Sequence, residues 1–280
     1  MIGTDPEAFF VDSSMVLPAQ VVFDEIMEGD NRISYPQGDL CVDGAALEFQ
    51  PYPGSPKQVV DNLYELLIEA QVIATKFGTE VAIEPELPID LGWCETDPSL
   101  GVFGCDPDLS VWGEGCRPET IDASRHPYRY AGCHVHISTG DPLFFRRNHN
   151  IETVTKALDR TVGLAAMVIS DNCDERRRGI YGRPGVCRHQ PWGMEYRTPS
   201  NCILRSPRYM RFIFRLTAKT LFLANTSIFE EVIPDDLVVG TLRGNDVKLA
   251  KDLYDRLAVV ADLPPIPSPE LGRWQDLWRI

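Results

Sequence analysis

The sequence predicts an α+β fold in a single domain spanning residues 1–280. Two patterns carry this. Short segments near 6–16, 40–50, 80–83, 130–138 and 192–198 set polar residues between apolar or small ones, the pattern of a half-buried strand. Longer segments repeat apolar residues at helical spacing, and the stretch 206–280 reads as a helical C-terminal part. No linker divides the chain and no internal repeat is present. With 44% hydrophobic residues, 280 residues can bury a substantial core.

The elements follow in order. Strands at 6–16 and 40–50 flank a turn-rich stretch around Gly29-Asp30-Asn31. Ser55 caps the first clear helix, Pro56 occupies its first position, and Val59, Val60, Leu63, Leu66, Leu67 and Ala70 form its buried stripe up to Gly78. A strand at 80–83 precedes a long irregular segment, 84–129, rich in Gly, Pro, Asp, Cys and Trp. A loop of that length is expected to act as a lid or substrate wall. A strand at 130–138 leads to a helix over 150–170, an arginine-rich loop and a strand at 192–198. Ser206-Pro207 opens a helix through Phe229, and 245–261 forms another. The proline-broken end, carrying Trp274 and Trp278, closes the fold with a short helix.

Composition narrows the function. No run of about eighteen apolar residues is present, so no membrane span is expected. Residues 1–7 lack the basic and apolar blocks of a signal peptide, which predicts a cytoplasmic location. The eight cysteines, at 41, 94, 105, 116, 133, 173, 187 and 202, include no CxxC, so free thiols are expected. Cys94, Cys105 and Cys116 recur at a regular spacing in the long loop and leave a structural metal open there. A net charge of −14 argues against nucleic acid as the main partner. Yet from Arg176 to Arg215 the chain carries ten arginines, no lysine and a single acid, Glu195. Guanidinium matches phosphate or carboxylate in bidentate fashion. A solvated basic face or RNA contact is the plainer alternative; the Gly, Pro and strand-like residues within the block favour a site.

Residues i and i+2 of a strand share a face. Four ligand-type pairs have this spacing: Asp5 and Glu7, Glu48 and Gln50, His134 and His136, and Glu195 and Arg197. Their neighbours, such as Leu47, Phe49, Val135, Ile137, Met194 and Tyr196, are apolar or aromatic. Carboxylates and imidazoles gathered on one face repel unless cations neutralise them. Oxygen ligands with one or two imidazoles suit Mg²⁺ or Mn²⁺ better than structural zinc. With the arginines alongside, the composite is a metal–triphosphate site.

Gly132-Cys133-His134-Val135-His136-Ile137-Ser138 resembles the G-x-H-x-H-x-S strand of glutamine synthetases. Gly3-Thr4-Asp5-Pro6-Glu7 and Asp43-Gly44 with Glu48-Phe49-Gln50-Pro51 are similar to the first two metal-binding strands of the broader carboxylate–amine ligase (amidoligase) superfamily. The stretch 178–185 with Trp192-Gly193-Met194-Glu195-Tyr196-Arg197-Thr198 resembles its arginine loop and final catalytic strand. Over residues 2–205 the chain resembles the phage-associated COOH-NH2 ligase family, type 2. The resemblance implies a curved antiparallel catalytic sheet of glutamine-synthetase type, with helices packed on its outer face, and ATP and Mg²⁺ (or Mn²⁺) as cofactors. Glu7, Glu48, His134 and Glu195 would be metal ligands, with Asp5 close by. His136, Arg183 and Arg188 would face the ATP phosphates, with Arg178 of the same loop in the cofactor-binding set. Arg197 would hold the substrate carboxylate or acyl phosphate, and Asp43 would stand near the incoming amine, so Asp43, Arg183 and Arg197 form the implied catalytic set. Asp5 replaces a glutamate of glutamine synthetase, which places it in reach of a metal through water. The carboxylates that further loops supply in that enzyme have no obvious counterpart in this sequence.

The implied activity is ATP-dependent amide formation through an acyl phosphate, from small-molecule or peptide carboxylate and amine substrates, in the host cytoplasm if the chain is phage-encoded. Two other readings stay open: a metal-dependent hydrolase on the same sheet, and a non-catalytic phage peptide-binding protein. Dense arginines and few histidines count against the hydrolase. The absence of GxxxxGK[ST] counts against a P-loop enzyme.

Overall fold

A computed structural model describes residues 1–27, 31–101, 110–113, 121–141 and 143–280. Gly29 and Asp30 of the expected turn, and Cys105 and Cys116 of the cysteine series, lie outside these residues.

The strands are β1 (Ile2–Thr4), β2 (Glu7–Asp12), β3 (Met15–Leu17), β4 (Arg32–Tyr35), β5 (Gly38–Asp43) and β6 (Ala46–Pro51). They continue with β7 (Glu80–Ala82), β8 (Glu86–Pro88), β9 (Tyr128–Tyr130), β10 (Val135–Ile137), β11 (Cys187–Gln190) and β12 (Gly193–Tyr196). The strand pairings are antiparallel. One sheet runs β1-β10-β12-β11 and another runs β3-β2-β6-β5-β4, with β7 also on β2. They meet where the chain passes through Asp5 and Pro6. Proline has no N–H to give, so the ladder breaks there, and the Glu7 N–H instead donates to Gly132 O (2.9 Å). Together the strands curl into an antiparallel half-barrel.

The helices are α1 (Ala19–Met27), α2 (Pro56–Lys76), α3 (Gly92–Thr96), α4 (Asn148–Leu158), α5 (Leu164–Ser170) and α6 (Glu175–Ile180). After β12 come α7 (Pro207–Leu223), α8 (Ile228–Val232), α9 (Asp235–Arg243), α10 (Val247–Ala261) and α11 (Trp274–Trp278). Ala8, Phe10, Leu47, Phe49, Val135, Ile137, Met194 and Tyr196 share one core with the buried stripes of α2, α4, α5, α7 and α10. Helices therefore cover one face of the sheets, and the ligand pairs emerge on the other.

Several boundaries differ from expectation for local reasons. The strand expected at 6–16 is the hairpin β2–β3, because Ser13 and Ser14 adopt left-handed conformations (φ 50° and 71°) suited to a tight turn. The strand expected at 40–50 is the hairpin β5–β6, turning at Gly44 (φ 56°) with Asp43 opposite Ala46. Strand 130–138 divides into β9 and β10. The helix expected at 150–170 is α4 and α5 joined by a π-helical turn, Asp159–Gly163. The helix from Ser206 stops at Leu223, and α1, α6 (within the expected arginine-rich loop) and α9 add to the helices the spacing predicts. The long segment 84–129 is not structureless: it contains β8, α3 and single helical turns at Pro98–Gly101 and Ala123–Arg125. A second, smaller core of Phe9, Val16, Ile89, Cys94 and Leu100 holds part of it against the sheet.

The closing helix docks as expected. Trp274 Nε1 donates to Val81 O (3.0 Å) and Trp278 Nε1 to Leu204 O (2.8 Å), and both rings are buried. Trp278→Ala is expected to cost about 3–5 kcal/mol, the range for a buried tryptophan truncated to alanine. Urea unfolding would show this as a lower midpoint at unchanged slope; an unmoved midpoint would mean that α11 contributes nothing to the folded core.

Candidate metal and anion site

Cross-strand register builds the site. Gly3, His136, Glu195 and Arg188 lie opposite one another in turn across β1, β10, β12 and β11. In the other sheet Glu7 lies opposite Glu48. Because odd and even positions separate to the two faces, Val135, Ile137 and Met194 enter the core while His136 and Glu195 face the concavity.

Two ligand clusters result. Asp5, His134 and Glu195 form the first; Glu7, Asp43 and Glu48 form the second. Within each, one ligand atom per residue lies within 4.8 Å of the others. His134 Nδ1 is 3.1 Å from Asp5 Oδ1 and 3.2 Å from Glu195 Oε1, and His136 Nε2 is 3.1 Å from Asp5 Oδ2. One ring nitrogen carries at most one proton for the two carboxylates it faces. Despite these distances, Asp5 Oδ1, His134 Nδ1, His134 Nε2 and His136 Nε2 are buried without a directed hydrogen bond. Lone pairs of carboxylate oxygens and neutral imidazole nitrogens brought this close without directed hydrogen bonds fit a divalent cation, and buried polar groups otherwise find partners.

The electrostatics point the same way. Burial pushes the Glu7 carboxyl up to about 7, while the His134 charge pulls it down and Asp43 pushes it further up. Burial also raises Glu48, reinforced by Asp5, Glu7 and Asp43. Asp43 is raised chiefly by burial as well. Asp5 differs: burial works against its charge, but His134 and His136 hold it well below the ordinary carboxylate range. The His136 imidazole is pulled down by burial, yet Asp5 outweighs this and leaves it above its usual value. Direct hydrogen bonds aim the remaining oxygens. Gly132 N–H donates to Glu7 Oε2, Gln50 Nε2 to Glu48 Oε1, and Gln190 Nε2 to Glu195 Oε2 (3.0 Å).

A groove passes over both clusters. One part, of about 760 Å³, is lined by Asp5, Glu48, Gln50, Tyr52, His136, Arg188, Trp192 and Glu195, among others. The adjoining part, of about 440 Å³, shares Asp5, Glu48, Gln50, Arg188 and Glu195 and adds Arg32 and Asp43. Trp192 packs on His136, ring centroids 4.9 Å apart.

Asp5, Glu7, Glu48, His134, His136, Glu195, Arg188 and Arg197 thus come together as the sequence anticipates. Asp43, expected near the incoming amine, lies in the second cluster, within 4.8 Å of Glu7 and Glu48. Arg178 and Arg183 do not reach this face. Arg178 is buried and bound to Asp174 (2.9 Å), Asn245 (2.7 Å) and Ser170 (3.4 Å). Arg183 folds back so that its Nε donates to Gly179 O (2.8 Å). In a helix, successive side chains diverge by about 100°, so Arg176, Arg177 and Arg178 point to different places.

Arg177 is the member that sequence reasoning missed. It is 0% exposed, donates to Thr198 O (3.0 Å), and stacks its guanidinium on Tyr181 at 5.6 Å. Its Nε and second terminal nitrogen have no hydrogen-bond partner among the described residues. A Cβ on Gly132 would lie 2.7 Å from His134 Nε2 and 3.0 Å from an Arg177 terminal nitrogen. Only glycine admits both groups there. Arg197 is buried too, with Nε 3.2 Å from Glu195 Oε1 and a hydrogen bond to Tyr181 Oη (3.0 Å).

Behind the face, the buried carboxylate of Asp159 accepts from Tyr196 Oη (2.6 Å) and from Trp112 Nε1. Gly163, in the same π-helical turn, leaves room for Tyr196: a Cβ there would lie 2.8 Å from its Oη. Ser110 Oγ donates to Pro184 O (2.8 Å) and Val111 N–H to Gly185 O (3.1 Å). Residues 110–113 of the long segment therefore clasp the turn that leads into β11 and Arg188.

The concave sheet face thus carries two carboxylate-rich clusters, each of which could hold a metal ion, with arginines beside them. The sequence model of the family described as Phage phiEco32-like COOH.NH2 ligase-type 2 matches residues 123–229. This match supports the family to which the motifs point, and the matched stretch includes His134, His136, Arg177, Arg188, Glu195 and Arg197. The family is a carboxylate–amine ligase family by description. Among curated proteins, none matches the chain. No helix among the described residues is long and apolar enough to cross a membrane.

The raised Glu7 carboxyl gives a signed expectation. Unfolded, a glutamate titrates near 4.3; folded, this one titrates at about 7. Its contribution to stability is present below the unfolded value and is lost as pH rises through about 7. Metal-free protein is expected to lose stability as pH rises from about 4.3 to about 7, and Mg²⁺ or Mn²⁺ to restore it. Because a cation must displace the proton, its shift in melting temperature grows with pH over that range. At a hundredfold excess over Kd the bound cation stabilises the folded chain by about 2.7 kcal/mol. Thermal melts with chelator or cation at both pH values check this; equal shifts at both would disconnect the cluster from cation binding.

Proposed function

We propose that this chain is an ATP-dependent carboxylate–amine ligase that uses Mg²⁺ or Mn²⁺ and works through an acyl phosphate, in the cytoplasm of its host if phage-encoded. The observation that carries the reading is the juxtaposition of Asp5–His134–Glu195 and Glu7–Asp43–Glu48 on one sheet face, with Arg188 and Arg197 beside Glu195. The family description supports the reaction class.

A carboxylate condenses with an amine only after its oxygen becomes a good leaving group, and phosphorylation supplies one. Bound cations would neutralise charge on the transferring phosphoryl group. Asp5, His134 and Glu195 would hold one cation, and Glu7, Glu48 and Asp43 the other. Arg188 and His136 would face the phosphates from the rim of the groove. Tyr52 and Trp192, both exposed at the wider part, offer flat surfaces for a base or an apolar substrate portion. Arg197, fixed by Glu195 and Tyr181, would meet the developing negative charge of the acyl phosphate. Arg178 and Arg183 serve better as supports of the turn than as phosphate ligands, given the groups they already bind.

The test is a screen of amino acids and peptides, as acid and as amine, with Mg²⁺ and ATP, following ADP and product mass together. Glu7→Gln is expected to reduce turnover by about 10²–10³-fold, the scale for losing one preorganised charge-stabilising group. A fully active variant would remove Glu7 from the metal cluster.

Water competes with the amine for an acyl phosphate, so the site must exclude it. The segment 84–129 is the candidate cover. Cleaving it is expected to raise ATP hydrolysis relative to amide formation. An unchanged ratio of ADP to amide would show that water is excluded by other means.

A further inference from the structure

Two thiols that the sheet-face site does not use are brought into contact. Cys173 lies in the turn between α5 and α6, directly after Asp171 and Asn172, both left-handed (φ 46° and 65°). Cys202 lies in the helical turn Asn201–Arg205 that follows β12. Their Sγ atoms are 2.9 Å apart. Cys202 is buried and Cys173 half-buried, so a small reagent reaches one sulfur before the other. Arg205 Nη1 stands 3.7 Å from Cys173 Sγ, with its side chain held in place by Glu84 (2.6 Å) and Ile83 O (3.1 Å).

We propose that Cys173 and Cys202 form an oxidative modification site for hydrogen peroxide, with Cys173 the attacking and Cys202 the resolving thiol. The Cys173 thiolate attacks one peroxide oxygen and the O–O bond breaks. Hydroxide leaves and is protonated to water, and Cys173, oxidised by two electrons, becomes a sulfenic acid. The Cys202 sulfur then attacks Cys173 Sγ, the S–O bond breaks, and a second water leaves as the S–S bond forms. In sum, two thiols and one hydrogen peroxide give one disulfide and two waters.

Three features assign the roles. The Cys202 hydrogen bond and the Arg205 charge outweigh burial and hold the Cys173 thiol below its ordinary value. The same hydrogen bond and burial push Cys202 well up. A reactive cysteine needs thiolate character and access, and only Cys173 of this pair has both. The bond would join the turn before α6, which carries Arg177, to the segment anchoring β2. Asn201, next to Cys202, donates through Nδ2 to Glu7 O (3.0 Å) and Glu84 O (2.9 Å). The site rests on the thiol geometry alone and stands whether or not the chain is a ligase.

The full-length chain is treated with a small molar excess of hydrogen peroxide, blocked with an alkylating reagent, and digested with trypsin without reduction. Arg160, Arg176, Arg197 and Arg205 release the two cysteines in separate peptides, 161–176 and 198–205. The expected product is these peptides joined, lighter by two hydrogens than their sum, and parted again by dithiothreitol. Cys202→Ser is expected to leave Cys173 as sulfenic or sulfinic acid, while Cys173→Ser leaves Cys202 alkylated. Three outcomes overturn the proposal: both thiols of the wild-type chain remaining alkylatable, Cys173 passing to sulfinic acid without the cross-link, or the cross-link forming only after denaturation.

Discussion

Glu7 and Glu48 lie directly opposite each other in neighbouring antiparallel strands, where like charges repel, and Glu7 is 4% exposed. Placing Asp43 beside them at the β5–β6 turn makes the repulsion worse. Such an arrangement persists only with protons or cations bound, and the rest of the face is arranged around that need. Gly132 N–H and Gln50 each satisfy one carboxylate oxygen. Asn201 grips the Glu7 backbone from behind. Across the junction at Asp5 and Pro6, two histidines offset the single Asp5 carboxylate, and His134 Nδ1, His134 Nε2 and His136 Nε2 have no directed hydrogen bond.

A site under this much electrostatic tension needs a stiff support, and the helical layer provides it. The apolar partners of the ligand pairs, Leu47, Phe49, Val135, Ile137 and Met194, are buried completely, so the strands cannot slip without exposing them. Tyr196 adds a polar anchor: its hydroxyl reaches Asp159 through the gap that Gly163 leaves. Burial pushes Asp159 up to about 6 against the hydrogen bonds of Tyr196 and Trp112. One buried carboxyl therefore ties the strand of Glu195 to residues 110–113, which also clasp the turn before β11. The π-helical turn between α4 and α5 is the local irregularity that brings Asp159 and Gly163 to this junction.

Much of the face was legible in the chain. The spacing of Glu48 and Gln50, His134 and His136, and Glu195 and Arg197 against apolar neighbours suffices to put them on one side of strands, since β geometry alternates whatever the context. The cap at Ser55 with Pro56 located α2 for an equally local reason: Ser55 accepts from the Gln58 N–H and Gln58 reaches back to Ser55. Hairpin turns were less visible. Ser13-Ser14 and Gly44-Ala45 interrupt segments whose alternation continues across the turn, so pattern alone read each as one strand.

What the sequence determined by itself is which side chains share a face, because that depends on the two-residue period of a strand. Only the tertiary structure decided which faces meet. It divided the acids into two clusters, set Asp43 in one of them with Glu7 and Glu48, and engaged Arg178 and Arg183 with other groups. From Arg176-Arg177-Arg178 it selected the middle residue for the ground beneath His134. These choices depend on strand register across the curl and on helix rotation against the core. Both are fixed by packing between residues far apart in the chain, and no local spacing encodes them.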